Sequence, residues 1–206
     1  MLDFTKTLAG KYFRNLTNIW DILPLIKDIL PEIGATLSQP EYTEIQPQVW
    51  VSKTATIADT AFLKGPLIIG PDTEVRHCAF IRGNVLIGKN CVVGNSTEVK
   101  NSIIFDNVQI PHFNYVGDSV LGYKSHFGAG VITSNVKSDR SPVGNTGLKK
   151  FGAIVGDYSE VGCNTVLNPG TILGAKSTIY PCSCVRGTVP ENSIYKSRDL
   201  IVKKEK

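Results

Sequence analysis

An all-β solenoid of stacked three-sided coils, each side a short parallel strand, is the fold class this sequence predicts. Three observations predict it. Large aliphatic residues recur every six positions along two long runs, small or β-branched residues sit four places after most of them, and a glycine or another turn-forming residue often follows directly. Six is not a helical period, because 3.6 residues per turn would carry these side chains around every face of a helix. It suits a strand of three or four residues and a tight turn, with the large residue pointing inward and the small one near the corner.

The first run is Ile45, Val51, Ile57, Leu63, Ile69, Val75, Ile81, Ile87, Val93 and Val99. The count then slips to five at Ile104, resumes at Ile110 and Val116, slips again to Leu121 and continues to Phe127. The second run is Val155, Val161, Leu167, Leu173, Ile179 and Val185, with Ser159, Thr165, Thr171, Ser177 and Ser183 in the small positions. Together these sides predict about seven coils over residues 45–198.

Two segments and a tail depart from the repeat. Residues 1–44 carry Ile19, Ile22, Leu23, Ile26, Ile29 and Leu30 at helical spacing. Asn18 is placed to cap that helix, Pro24 falls in its first turns, and Pro31 and Gly34 end it. We read a short N-terminal helical appendage packed on the coils or on a neighbouring subunit. Residues 133–152 are polar, bear glycine and proline, and interrupt an otherwise unbroken repeat; they read as an excursion loop, where function concentrates. Residues 199–206 read as a mobile charged tail.

Composition narrows the function classes. The chain has 206 residues, 42% hydrophobic and only 19% charged, enough for one well-buried domain. The net charge of +4 owes much to Lys203, Lys204 and Lys206, so no nucleic-acid partner is implied. No stretch nears the roughly 18–20 apolar residues that cross a bilayer, so no membrane partner is expected. The N-terminus lacks the pattern of a secretory signal. Cys78, Cys91, Cys163, Cys182 and Cys184 are odd in number and show no metal-like pairing. They read as reduced thiols of a cytoplasmic protein.

An aliphatic ladder is inert, so chemistry must lie where the pattern breaks. There are three histidines, His77, His112 and His126. His112 stands in IPHFNYVGDSVLG, between the two five-residue slips and ahead of the loop. A neutral imidazole near pH 7 is suited to take a proton from a nucleophile, and an ordinary surface histidine is the plain alternative.

The repeat resembles that of the hexapeptide-repeat proteins, which form left-handed parallel β-helices; the hand comes from this resemblance and not from the period. PHFNYVGDSVLG, FGAGVITSN and GAIVGDYSEVGCNTVLNPG further resemble the acetyltransferase domain of the bacterial and archaeal bifunctional enzymes that acetylate glucosamine-1-phosphate and then uridylylate it. The similarity covers most of residues 60–198. The nucleotidyltransferase domain of those enzymes has no counterpart here, so pyrophosphorylase activity is not expected.

The resemblance implies roles residue by residue. His112 matches the general base that deprotonates the sugar amine before it attacks acetyl-CoA, the co-substrate. Arg82 and Lys100 match the pair that binds the sugar phosphate, Tyr115 helps hold it, and Asn135 contacts the sugar. Charge-assisted contacts would fix the orientation of such an anion. The backbone N–H of Ala129 would meet the thioester carbonyl, where negative charge develops. Cys163 and Pro181 would line the acetyl-CoA channel, and Arg198 would meet the phosphorylated end of CoA. A homotrimer is implied as well, with the channel between neighbouring coil stacks, and flat triangular faces suit three-fold closure.

On the residues alone, Arg82 and Lys100 read equally as exposed turn residues, Tyr115 as a corner aromatic, Asn135 as a turn former and Cys163 as a small spacer. The chain departs from the pattern at His126, where the family has an asparagine lining the acceptor pocket. It departs also at Val136, where an aromatic is common, and at Pro181, which removes a backbone donor. Two other readings compete. One is a non-catalytic or regulatory sugar-nucleotide-binding protein. The other is a zinc enzyme of the γ-carbonic anhydrase type, which the wide spacing of the three histidines disfavours; no metal is expected.

Overall fold

The computed structural model describes residues 1–204. They form a left-handed parallel β-helix of about eight turns, one more than the repeat count predicts. Its first face holds eight strands, from Val49–Ser52 through Leu67–Ile69, Val85–Ile87 and the later halves of Glu98–Ile104 and Tyr115–Leu121 to Ala153–Val155, Thr171–Leu173 and Thr188–Val189. The second face runs from Thr56–Ile57 to Ser193–Ser197 and includes Gln109–His112, His126–Phe127 and Glu160–Val161. The third runs from Phe62–Leu63 and Phe80–Ile81 through the first halves of Glu98–Ile104 and Tyr115–Leu121 to Ile132–Thr133, Val166–Leu167 and Cys184–Val185.

Period six works because each side spends its residues on a short strand and a corner in the left-handed region. Asp72, Asn90, Asn107, Lys124, Tyr158, Lys176 and Asn192 adopt φ between +52° and +61° and stack at one corner. Cys78, Ser96, Phe113, Gly130, Asn164 and Cys182 stack at another. Glycine and asparagine enter this region readily, whereas a bulky side chain such as Phe113 does so at a cost of roughly 1–2 kcal/mol. The aliphatic residues from Leu63 to Val185 point inward and are buried, and the small residues Thr73, Ser159, Thr165, Thr171 and Ser177 are buried beside them. The hydroxyls of Thr73, Ser159, Thr165 and Thr171 bond the backbone, as Thr73 Oγ1 does with the Gly88 carbonyl at 2.7 Å, and that of Ser177 bonds the Ser159 hydroxyl.

The two five-residue slips have a structural cause. At Glu98–Ile104 and Tyr115–Leu121 the chain rounds the corner between the third and first faces inside one continuous seven-residue strand, through left-handed Asn101 and Asp118. One coil further on, the excursion loop leaves the stack at this same corner, between Thr133 and Ala153. The loop is tied down by buried Val143 and Phe151, the latter against Trp20 at 5.9 Å between ring centroids.

The N-terminal appendage covers the first face. It comprises short helical turns at Phe4–Lys6 and Gly10–Phe13, a 3₁₀ stretch Ile19–Leu25 and an α-helix Ile26–Gly34. The Asp21 carboxylate accepts the Asn18 backbone N–H at 2.9 Å, closing the entry. Pro31 lies inside the helix and does not end it, a correction to the sequence reading; Gly34 does. Strands on the first face read LII, VLI and AIV, so the outward residues Ile68, Leu86, Ile103, Val120 and Ile154 are apolar too. All five are fully buried; the α-helix contacts the strands of Ile68, Leu86 and Ile103, and the 3₁₀ stretch that of Val120.

Both ends of the stack differ from expectation. Ile45, taken as the first inward residue, is exposed, because Tyr42–Gln46 forms an antiparallel hairpin with Val49–Ser52 and lies outside the coils. The stretch expected as a mobile tail is also a hairpin: Leu200–Lys203 pairs antiparallel with Ser193–Ser197. Of that tail, Glu205 and Lys206 lie outside the described residues. No helix among the described residues is long and apolar enough to cross a membrane.

Candidate functional site

His112 ends its second-face strand, Phe113 turns the corner at φ +52°, Asn114 is buried inside it, and Tyr115 begins the third face. Asn114 pins this corner. Its Oδ1 accepts the His112 backbone N–H at 3.0 Å, and its Nδ2 donates to the Gly128 carbonyl, one coil on, at 2.8 Å. The His112 side chain is exposed, as is Phe113, at 61%.

From His112 a straight edge climbs the prism. The Gly130 N–H donates to the His112 carbonyl at 3.0 Å, Asn164 N–H to the Ala129 carbonyl at 2.8 Å, and Cys182 N–H to the Cys163 carbonyl at 2.8 Å. His112, Ala129, Cys163 and Pro181 therefore occupy successive coils of one edge, about 4.8 Å apart. Gly128 and Gly130 spend their N–H groups on bonds to the adjacent coils, whereas those of Ala129 and Cys163 have no acceptor among the described residues. These two free donors line the edge above His112, and the row ends at Pro181, which has none. Arg198 is carried back towards this end by the C-terminal hairpin. With Pro181, Arg186, Tyr195 and Lys196 it lines a groove of about 660 Å³.

The third face, beside this edge, gathers the other expected residues. Parallel pairing sets Glu98 beside Tyr115 and Lys100 beside Gly117, with Phe80 one coil below Glu98. Arg82 Nη1 donates to Glu98 Oε1 at 2.7 Å. Lys100 Nζ lies 2.7 Å from Asp118 Oδ2, in a pair far more buried than that of Arg82 and Glu98. Asn135 Nδ2 bonds the same Asp118 oxygen and also donates to the Tyr115 hydroxyl at 3.3 Å. Gly117 makes room for this: a Cβ there would stand 2.6 Å from the Tyr115 hydroxyl and 3.0 Å from Asn135 Nδ2. Burial raises the Tyr115 phenol above its ordinary value, helped by the Asp118 and Glu98 carboxylates, so it stays a neutral donor.

Arg82, Lys100, Tyr115 and Asn135 thus meet on one face, and His112, Ala129, Cys163 and Pro181 on its bordering edge. His126 does not join them. It sits on the second face, in register with Gln109 and Glu160, with Nδ1 2.9 Å from Glu160 Oε2. His77 lies on the His112 edge but two coils lower, its Nδ1 2.7 Å from Thr60 Oγ1. The three histidines therefore do not converge. The sequence reading did not single out Asn114 and Asp118, although both lie inside the motif around His112; the burial of the acid and its contacts with Lys100 and Asn135 appear only once the coils are stacked.

The GMPPB C-terminal domain family matches residues 63–177, which is 115 of 206 residues. A bifunctional protein GlmU from Methanococcus vannielii is 33% identical over 205 residues, covering 94% of this chain and 49% of that protein. One from Methanococcus maripaludis is 35% identical over 95% of this chain and 50% of its own length. A bifunctional sugar-1-phosphate nucleotidylyltransferase/acetyltransferase from Sulfurisphaera tokodaii is 29% identical over 72% of this chain and 43% of its own. The chain spans about half the length of these curated relatives. Among solved structures, the acetyltransferase domain of PglB from Neisseria gonorrhoeae, in complex with acetyl coenzyme A, aligns with a TM-score of 0.43 at 14% identity. That alignment covers 88% of this chain and 66% of the other. By its match over more than half of its length, the chain belongs to the GMPPB C-terminal domain family.

Proposed function

We propose that the protein is an N-acetyltransferase that moves acetyl from acetyl-CoA to the amine of an amino-sugar phosphate resembling glucosamine-1-phosphate. One observation carries this reading: a face bearing Arg82, Lys100, Tyr115 and Asn135 borders an edge on which His112 stands one coil below the free N–H of Ala129. The Sulfurisphaera tokodaii relative, a sugar-1-phosphate nucleotidylyltransferase/acetyltransferase by name, supports the acyl transfer and the sugar-phosphate class.

In this reading Arg82 and Lys100 receive the phosphate, and Tyr115 and Asn135 hold the sugar against the His112 corner. The His112 imidazole takes a proton from the amine as its nitrogen attacks the thioester carbon. The Ala129 N–H stabilises the oxyanion, the C–S bond breaks, and the CoA thiolate leaves, taking up the proton that the imidazole holds. Acetyl-CoA lies along the edge past Cys163 and Pro181, its phosphorylated end at Arg198 and the neighbouring basic residues. We assign a homotrimer, with the acetyl-CoA channel closed by the next subunit. The appendage buries the first face, which leaves the other two for this contact, and the third carries exposed Phe62, Phe80 and Ile132. Five unpaired cysteines accord with a cytoplasmic setting.

One observation favours the non-catalytic reading: both expected phosphate ligands already hold carboxylates, Arg82 that of Glu98 and Lys100 that of Asp118. Thiol release from acetyl-CoA with glucosamine-1-phosphate, galactosamine-1-phosphate and UDP-linked amino sugars separates the two. Release with a sugar phosphate is the expected result, and tight sugar-nucleotide binding without release would overturn the enzyme reading.

A further inference from the structure

We propose that Asp118 is the positioning residue of the acceptor site, its carboxylate setting Lys100 and Asn135 in the geometry that receives the sugar phosphate. This rests on the acetyltransferase reading above and adds to it a residue that the reading does not use.

The carboxylate is almost wholly buried, its side chain 6% exposed. Oδ2 takes Lys100 Nζ at 2.7 Å and Asn135 Nδ2, while Oδ1 takes Asn101 Nδ2 at 2.9 Å. One acid therefore joins its own coil, the coil below through Lys100 and Asn101, and the entrance of the excursion loop through Asn135. Its backbone carbonyl also accepts the Gly152 N–H at 2.8 Å, so the exit of the loop ends on the same residue.

The corner itself does not require an acid. Asp118 is in register with Asn101, and Asn101 with Asn84, one and two coils below; all three adopt the left-handed conformation, at φ +49°, +43° and +53°. Asparagine meets the backbone demand at two of the three positions, as its tolerance of this region predicts. What distinguishes the third is a buried negative charge, which is costly unless paired and hydrogen-bonded. It is paired, and both partners facing the third face are expected substrate ligands. A lysine on a flexible four-carbon stem gains most from such a fixed counter-charge.

The test is Asp118→Asn, which keeps shape and backbone preference and removes the charge. The expected result is a rise of about tenfold or more in acceptor KM, with acetyl-CoA KM within about twofold of wild type even where the unfolding midpoint falls as Lys100 loses its counter-charge. An unchanged acceptor KM overturns the proposal. So does a joint loss of both KM values and of the midpoint, which marks a purely structural residue. A second readout needs no turnover: brief acetylation by an N-hydroxysuccinimide ester, mapped by mass spectrometry, should modify Lys100 several-fold faster in Asp118→Asn, with exposed Lys64 as the internal reference. Equal Lys100 labelling defeats the Asp118 assignment alone. Absence of turnover in wild type defeats the acetyltransferase reading and the acceptor role with it.

Discussion

The Gly130 N–H donates to the His112 carbonyl at 3.0 Å, so the exposed imidazole and the free N–H of Ala129 stand on neighbouring coils of one edge. A rigid ladder of backbone hydrogen bonds fixes that spacing. In the proposed reading the imidazole and this N–H serve as base and oxyanion donor, and adjacent rungs suit attack of an amine on a thioester lying along the edge.

Gly117 separates the site from the scaffold. In Gly117→Ala the new Cβ meets the Tyr115 hydroxyl at 2.6 Å, the far end of a side chain able to swing away. Stability should change by less than about 1 kcal/mol, because no backbone has to move. Acceptor KM should rise by about tenfold as Tyr115 leaves Asn135. Steady-state kinetics beside a denaturant titration check both; a large loss of stability with unaltered KM would contradict the placement of Tyr115.

The covered first face predicts an asymmetry absent from an uncovered coil stack. Leu86 points away from the prism interior yet is fully buried. Leu86→Ala should cost about 2–5 kcal/mol in denaturant unfolding, as an inward core truncation does. A cost typical of a surface site would show that the appendage does not pack there in solution.

Thiol chemistry distinguishes the five cysteines. Cys91 fills an inward small position, its Sγ–H donating to the Phe105 carbonyl at 3.1 Å, and burial pushes its thiol up to about 12. Under native conditions an alkylating reagent should modify Cys78, Cys163, Cys182 and Cys184, all exposed, and leave Cys91 intact until denaturant is added. Mass spectrometry of the labelled peptides reads this directly.

Stability should also respond to pH through Asp106 and Asp157, which meet the N-terminal segment. Asp157 accepts the Asp3 N–H at 2.7 Å, and the Asp106 N–H donates to the Lys6 carbonyl at 3.0 Å. Burial raises both carboxyls above the ordinary 3.8. The folded state then holds these protons more tightly than the unfolded state. Their contribution is greatest below 3.8 and is lost as pH rises through the folded-state values. Unfolding free energy measured against pH should therefore fall less steeply over this range in Asp157→Asn than in wild type. An identical slope in the two would contradict the sign.

Much of this was legible in the sequence because a six-residue period dictates which side chains face inward, and from Leu63 to Val185 they do. The slips at Ile104 and Leu121 were visible, but their cause was not, since a corner rounded inside a continuous strand leaves the same letters. The row from Ile68 to Ile154 was unreadable for a related reason: an apolar run shows burial on both sides without showing what covers it. In the candidate site, motif residues such as His112 and Tyr115 could be singled out one at a time. The joining of Lys100 to Asn135 by Asp118 depends on coils stacked seventeen or eighteen residues apart, a proximity that only the fold creates. The same holds for His126, whose place on the second face follows from its register with Gln109.

The most direct test of the account is acetyl-CoA turnover with glucosamine-1-phosphate by wild type and His112→Ala, at matched folding. The imidazole is exposed, so the variant should unfold at the wild-type midpoint while kcat falls by about 10²–10⁴. Wild-type kcat in a folded His112→Ala protein would contradict the account.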